Sequence, residues 1–251
     1  MDEVLLRDRE DRIEVWTLNR PDQLNALSPQ LMRTIKAAAE ELADVAEVDC
    51  LLIRGAGRAF CAGVDLKAMM AGDKLPLDYG GRMIGAIAAL PQPVIAAVHG
   101  ICFTGGLELA LGADFIIAAE GARIADTHAR WGMHASYGMT QRLPRRVGET
   151  VAKDMMFTGR ELSGREAVAV GLATRCVADA ELEAAAMACA REIAGRAGTV
   201  TRWIKDQVTV GGSLPLDEAL AYEVTHRPKS DDNMMQRLSD AGWGAQGAKA
   251  D

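Results

Sequence analysis

The sequence has few aromatic residues, no long uninterrupted hydrophobic run and no basic cluster. Aromatic residues make up 4% of its 251 residues, although hydrophobic residues make up 49%. Proline, histidine, glycine or charged residues break the longest apolar runs, which argues against a membrane span. The formal net charge of -7 and the missing basic-aromatic pattern argue against nucleic acid as a partner. The length suits one large domain, or one domain with an appendage.

Paired cysteines and metal-binding motifs are missing as well. The five cysteines are scattered and form no CxxC pair, which is typical of buried free thiols in a reducing compartment. The first residues, MDEVLLRDRE, lack the basic start and apolar run of a signal peptide, so we expect a cytoplasmic protein. No HExxH motif occurs, and His128 and His134 are not spaced for one helix face. We therefore expect no metal.

Short hydrophobic stretches alternate with helical patterns, which predicts an α/β fold with buried strands. The predicted strands are 12–20, 50–55, 93–100 and 114–120. The predicted helices of this region are 28–42, where Ser28 can cap the N-terminus, and 82–90. The charged RDREDR segment before the first of these strands is expected to form a turn.

The composition changes near residue 180, where Ala, Glu, Leu, Met and Arg begin to dominate and strand signals disappear. We therefore predict an α/β core over residues 1–185 and an α-helical portion over 186–251. Such a helical portion can cap its own core or pack against a neighbouring subunit.

Two glycine-rich loops follow predicted strands and precede helical segments. The first, IRGAGRAFCAGVDLKAM, lacks the third glycine of a dinucleotide fingerprint because Phe60 occupies its place. In the second, VHGICFTGGLELAL, Gly105 and Gly106 allow a ligand or another segment to approach the backbone closely. Together the loops can direct two N–H groups at one oxygen, forming an oxyanion hole. The alternative is a pair of ordinary tight turns.

Glu108 is an ionisable residue among apolar neighbours, one helical turn beyond Gly105. Burial raises the pKa of a carboxylate, and a raised pKa suits a general acid or base. A buried glutamate satisfied by a salt bridge is the alternative. A third region, ADTHARWGMHASYGMTQRLPRRVG, contains His128, but a lone histidine is more often structural than catalytic. Its basic QRLPRRVG segment is expected to be a solvated helix end.

Five motifs taken together resemble the crotonase, or enoyl-CoA hydratase/isomerase, superfamily. They occur in the family's order as NRPDQLNAL, GAGRAFCAGVDL, PVIAAVHGICFTGGLELALGADF, TQRLPRRVG and FTGRELSGREAVAVGLA. The resemblance implies a crotonase-like spiral of ββα units, with C-terminal helices that build a homotrimer or a hexamer of two trimers. It also implies an acyl-CoA thioester as ligand, so that coenzyme A is part of the substrate and no separate cofactor is needed.

The resemblance places the family's functional positions on individual residues. The backbone N–H groups of Val64 and Gly105 would hold the thioester oxygen, and Glu108 would be a catalytic carboxylate. The implied CoA- and substrate-binding residues are Leu24, Ala26, Ala62, Asp65, Leu66, Lys67, Gly106 and Tyr137. Among them, Lys67 would help neutralise the phosphates. Tyr137, together with His134, would narrow or polarise the acyl end of the pocket.

The second catalytic position departs from the family pattern. Family hydratases carry a glutamate where the segment ARIADTHARWG places His128. Histidine accepts or donates a proton near neutral pH, so water addition either survives in altered form or is lost. We expect an enzyme that stabilises a thioester enolate, most commonly by hydrating a trans-2-enoyl-CoA. Isomerisation, retro-aldol cleavage, decarboxylation and acyl-CoA binding without turnover are the alternatives.

Overall fold

The computed structural model describes residues 3–71, 75–228, 233–241 and 243. Two compact units are present, one ending at Gly195 and the other starting at Arg196. The strands of the first unit are β1 (Leu5–Glu10), β2 (Ile13–Leu18), β3 (Cys50–Gly55), β4 (Ala59–Cys61), β5 (Val94–Val98), β6 (Ile101–Phe103), β7 (Phe115–Ala119), β8 (Arg123–Ala125) and β9 (Arg175–Val177). Its helices are α1 (Pro29–Leu42), α2 (Leu66–Met70), α3 (Tyr79–Ala88), α4 (Gly105–Ala110), α5 (Met139–Val147), α6 (Glu149–Thr158), α7 (Gly164–Ala169) and α8 (Leu182–Ala194).

The strands form two sheets. The larger sheet has the order β1-β2-β3-β5-β7-β9 and is parallel except for the antiparallel β1–β2 pair, and the smaller sheet has the parallel order β4-β6-β8. Each successive strand pair, β3/β4, β5/β6 and β7/β8, contributes its first strand to the larger sheet and its second to the smaller one. Helical residues follow each pair. The predicted α/β spiral of ββα units is confirmed.

The core explains why these segments fold as they do. Leu31, Ile35 and Leu42 form one apolar stripe on α1 and are fully buried in the main cluster. Ser28 caps this helix, since its Oγ accepts a hydrogen bond from Leu31 N at 3.2 Å. Helix α8 covers a second apolar cluster, formed by alternate residues of β2, β3, β5 and β7.

Two local expectations were wrong. The segment predicted as a turn is largely strand β1, and the tight reversal before β2 is confined to Asp11, with a φ of 51°, and Arg12. Its charged side chains are accommodated because they pair across the sheet edge, as Arg7 does with Glu14 at 2.7 Å. The end of α5 is not simply solvated, because Arg146 turns inward and donates to Asp114 O at 2.6 Å and Ala113 O at 3.0 Å.

The second unit contains α9 (Gly198–Gly211), α10 (Leu216–Thr225) and α11 (Met234–Asp240). No residue of these three helices is buried, and several large apolar side chains are well exposed, including Val208, Leu216, Leu220 and Val224. Throughout the described chain, no helix is long and apolar enough to cross a membrane.

Candidate active site

The loop before α1 is tied to the first glycine-rich loop by Asn25. Its side-chain amide donates to Ala56 O at 2.9 Å and Ala59 O at 2.8 Å, and its Oδ1 accepts from Arg20 N at 2.8 Å. Asn25 is fully buried and has a φ of 55°, a left-handed conformation that asparagine tolerates better than most residues. Sequence reasoning did not single it out, although it lies inside the NRPDQLNAL motif.

The predicted cleft residues Leu24, Ala26 and Ala62 lie together on these two loops. Leu24 has a left-handed φ of 52°, and its carbonyl accepts from Ala62 N at 3.0 Å. The Arg20 guanidinium donates to the Ala26 carbonyl. These contacts bring the segment before α1 alongside the segment that carries Val64.

Asp65 has a structural role in this loop. Its carboxylate caps α2 by accepting from Ala68 N at 2.9 Å, and it pairs with Arg20 at 2.8 Å. Burial acts to raise the pKa of Asp65, but the Ala68 N–H and the Arg20 guanidinium outweigh it, and the pKa is lowered. The next two residues are open, since Leu66 is 51% exposed and Lys67 is also exposed. They therefore form a reachable rim at the start of α2.

The backbone N–H groups of Val64 and Gly105 lie side by side. A methyl group on Gly105 would lie 3.3 Å from Val64 N, and one on Gly63 would lie 3.4 Å from Gly105 N. Leu27 forms a parallel β-bridge with Val64, in which Leu27 N donates to Gly63 O and Asp65 N donates to Leu27 O. In this pattern the N–H of Val64 itself points away from Leu27. Within the described chain, neither amide donates a hydrogen bond to a protein acceptor.

A strained residue directs the second of these amides. Thr104, immediately before Gly105, has φ 53° and ψ -111°, a combination that costs a residue with a side chain about 1–3 kcal/mol. The Thr104 N–H donates to Ala125 O at 2.9 Å, and its Oγ1 lies 2.6 Å from Thr127 Oγ1. Both hydroxyls are buried. The surrounding contacts therefore hold the turn that orients the start of α4.

Gly105 and Gly106 serve different purposes. A methyl group on Gly106 would lie 2.1 Å from the carbonyl oxygen of Cys61, so this glycine is required for packing of α4 against β4. A methyl group on Gly105 would meet the Val64 backbone nitrogen and side chain at 3.3 Å and the Gly63 Cα at 3.4 Å, which are looser contacts. Of the two, Gly105 is the residue that borders the paired amides.

Glu108 is buried, with 1% of its surface exposed. Its Oε1 accepts from two backbone amides, Tyr137 N at 3.0 Å and Met139 N at 3.1 Å, and the latter belongs to the first residue of α5. Burial raises its pKa, only partly opposed by these N–H groups and by the charge of His128. The salt-bridge alternative does not describe this residue, because backbone amides are its hydrogen-bond donors.

His128 is held by a neighbouring carboxylate. Its Nδ1 lies 2.6 Å from Asp126 Oδ1, and its backbone N lies 3.2 Å from the same oxygen. Burial acts to lower the pKa of His128, but the hydrogen bond to Asp126 and the charges of Asp126 and Glu108 outweigh it, and the pKa is raised. The structure thus brings His128 within the electrostatic reach of Glu108.

Tyr137 lies beside Glu108 and contributes both its backbone and its ring. Its N–H binds Glu108, and its half-buried ring fills the space above Gly80, where a methyl group would lie 2.4 Å from the ring. Burial and the nearby charge of Glu108 raise the pKa of its hydroxyl. His134, by contrast, is exposed.

Comparison with known proteins identifies the class. The family model described as enoyl-CoA hydratase/isomerase matches residues 8–236. A probable enoyl-CoA hydratase of Mycobacterium tuberculosis is 36% identical over 224 residues, covering 88% of this chain and 87% of the relative. A short-chain-enoyl-CoA hydratase of Clostridium acetobutylicum is 32% identical over 225 residues, covering 87% of this chain and 86% of the relative.

A solved structure extends the likeness to the fold. The enoyl-CoA hydratase of Bacillus anthracis superposes with a TM-score of 0.89 at 31% identity, covering 95% of this chain and 97% of that one. The fold and the two glycine-rich loops are those of a crotonase-type enzyme. The chain belongs to the enoyl-CoA hydratase/isomerase family, as its motifs predict.

Proposed function

We propose that this protein hydrates a trans-2-enoyl-CoA thioester in the cytoplasm. The observation that carries the proposal is a buried, raised-pKa carboxyl at Glu108 near two adjacent amides, of Val64 and Gly105, that have no acceptor in the described chain. Such amides stabilise negative charge on a thioester oxygen when an enolate forms. Relatives named as enoyl-CoA hydratases support the substrate class.

In this proposal Glu108 and His128 share the proton transfers of water addition. The residues Leu24, Ala26, Ala62, Leu66 and Lys67 border the coenzyme A portion, and Tyr137 borders the acyl portion. Gly106 and Asp65 contribute by holding α4 and α2 in place. No separate cofactor takes part.

The proposed assembly is a homotrimer, or a hexamer of two trimers, formed through residues 186–251. Exposed apolar side chains on α9 and α10 support it, since large exposed apolar patches mark interaction surfaces.

The identity of His128 favours a second candidate. A histidine in place of the family's second glutamate is compatible with isomerisation, retro-aldol cleavage or decarboxylation, and with acyl-CoA binding without hydration. All of these would use the same pair of amides.

The test is incubation with a panel of enoyl-, 3-hydroxyacyl- and malonyl-type CoA esters, with products identified by mass spectrometry. We expect a mass gain of one water on an enoyl-CoA. The His128→Ala variant should be slower, and His128→Glu should increase hydration of crotonyl-CoA. A wild-type protein that binds enoyl-CoA without adding water, or that acts only on another ester class, would refute hydration.

A further inference from the structure

Asp126 is a buried carboxylate whose hydrogen bonds in the described chain come from His128. It is 1% exposed, and its Oδ1 accepts from both the ring Nδ1 at 2.6 Å and the backbone N at 3.2 Å of His128. The intervening residue, Thr127, is anchored in turn by its hydroxyl contact with Thr104 at 2.6 Å. The segment from Asp126 to His128 is therefore held by two kinds of contact, the hydrogen bonds within this Asp126–His128 dyad and the hydroxyl contact of Thr127 between them.

This geometry determines which ring nitrogen is available. An ionised carboxylate only accepts hydrogen bonds, so Nδ1 of His128 carries a proton and donates it to Asp126. The other nitrogen, Nε2, has no partner among the described residues, and the side chain is 12% exposed. A buried aspartate holds the imidazole of serine hydrolases in the same way, by setting its tautomer and stabilising its charged form.

We infer that Asp126 is a positioning residue that holds His128 as an imidazolium whose Nε2–H delivers a proton to the substrate. The inference rests on the proposed hydration and assigns its two proton transfers, removal of a proton from water to Glu108 and delivery of a proton to the substrate to His128. Asp126 and Glu108 are the titratable groups whose charges act on His128, and together they raise its pKa against the opposing effect of burial. The nearby Arg130 directs its guanidinium to Gly159 O at 2.9 Å.

The resulting step balances in atoms and electrons. The Glu108 carboxylate accepts a proton from water as the water oxygen forms a bond to C3 of the enoyl group. The C2=C3 electron pair moves to the thioester as an enolate, whose oxygen the amides of Val64 and Gly105 stabilise. His128 Nε2–H then gives its proton to C2, and the carbonyl re-forms. Glu108 ends protonated and His128 neutral, and a proton exchange with solvent resets both.

The first test is a titration in the free protein. The chain has four histidines, and the signal lost in His128→Gln identifies the one of interest by NMR. In Asp126→Asn the amide oxygen can still accept from Nδ1–H, but the negative charge is gone. We expect the His128 pKa to fall in Asp126→Asn and to stay unchanged in the matched control Asp44→Asn, at an exposed position. An unchanged His128 pKa in Asp126→Asn would overturn the inference.

The second test separates positioning from a structural role. Above the pKa of His128, kcat of Asp126→Asn should fall about tenfold for each unit by which that pKa falls, with KM little changed. In a His128→Gln background, the further change Asp126→Asn should have no effect on kcat. An equal loss in both backgrounds would show that Asp126 acts on something other than His128. Because the titration needs no substrate, it tests whether Asp126 sets the pKa of His128 even if the wild-type protein hydrates no enoyl-CoA.

Discussion

Burial of the Glu108 carboxyl suits it for proton transfer but lowers the stability of the folded protein once the group is ionised. Burial raises its pKa, so the folded protein binds this proton more tightly than the unfolded chain does. The free energy of unfolding therefore falls as the pH rises from the ordinary pKa of a glutamate to the raised pKa of Glu108. Above the raised pKa this loss of stability remains. Glutamine at this position would keep an oxygen to accept from Tyr137 N and Met139 N.

We predict that Glu108→Gln lowers kcat by about 10²–10⁴-fold and raises the melting temperature near neutral pH. Activity assays and calorimetry at about pH 5 and pH 7.5 check this, and the gain in melting temperature should be smaller at the lower pH. The control is Glu47→Gln, an exposed glutamate. Full activity in Glu108→Gln would remove this residue from the acid/base role.

The two glycines before Glu108 allow a matched pair of alanine substitutions. In Gly106→Ala the new methyl group would lie 2.1 Å from a backbone oxygen, so we predict a loss of 1–3 kcal/mol or more, about that expected for overpacking. In Gly105→Ala the contacts are 3.3 Å, so the fold should survive while kcat/KM falls because the methyl group borders the Val64 amide. Denaturant unfolding and kinetics separate the two, and equal effects on stability would contradict the distinction.

At the scale of elements, the turn between β6 and α4 depends on a contact with the segment after β8. The strained Thr104 is held by Thr127, and both hydroxyls are buried. A glycine at position 104 would adopt the same backbone without strain and would not need the hydroxyl partner.

We predict that Thr127→Val costs about 1 kcal/mol in the wild-type background and little or nothing in a Thr104→Gly background. The measurement is a double-mutant cycle on the free energy of unfolding, with kcat followed in parallel. If the two substitutions are additive, the hydroxyl contact does not support the turn.

At the scale of the molecule, the second unit has no buried residue in α9, α10 or α11. We predict that light scattering of the wild-type protein gives three or six times the mass of one chain. Val208→Asp and Val224→Asp, at side chains 71% and 77% exposed, should reduce that mass because a charge in an apolar interface is costly. Gln30→Asp, at an exposed position of α1, is the control. A wild-type monomer at high concentration would contradict the assembly.

The sequence by itself determined those features that depend on near neighbours. The limits of β3 matched the structure because an apolar run ended by Gly55 leaves few alternatives, and α1 matched because Ser28, Pro29 and an apolar stripe mark its beginning and its buried face. The order of five motifs was enough to identify the family, and it placed Val64, Gly105 and Glu108 in the candidate site.

Only the tertiary structure decided which of these groups meet and what each contacts. Glu108 binds amides 29 and 31 residues further along the chain, a separation that no local pattern encodes. The strand β1 formed despite its charged residues because these pair with Glu14 on β2, Glu41 on α1 and Arg191 on α8. Arg146 turned inward because the carbonyls of Asp114 and Ala113 accept from it. The pair formed by Asp126 and His128 is local, since the two residues are two positions apart. The tertiary structure decided that Asp126 is buried and that the charge of Glu108 acts on His128, and neither property can be read from the local sequence.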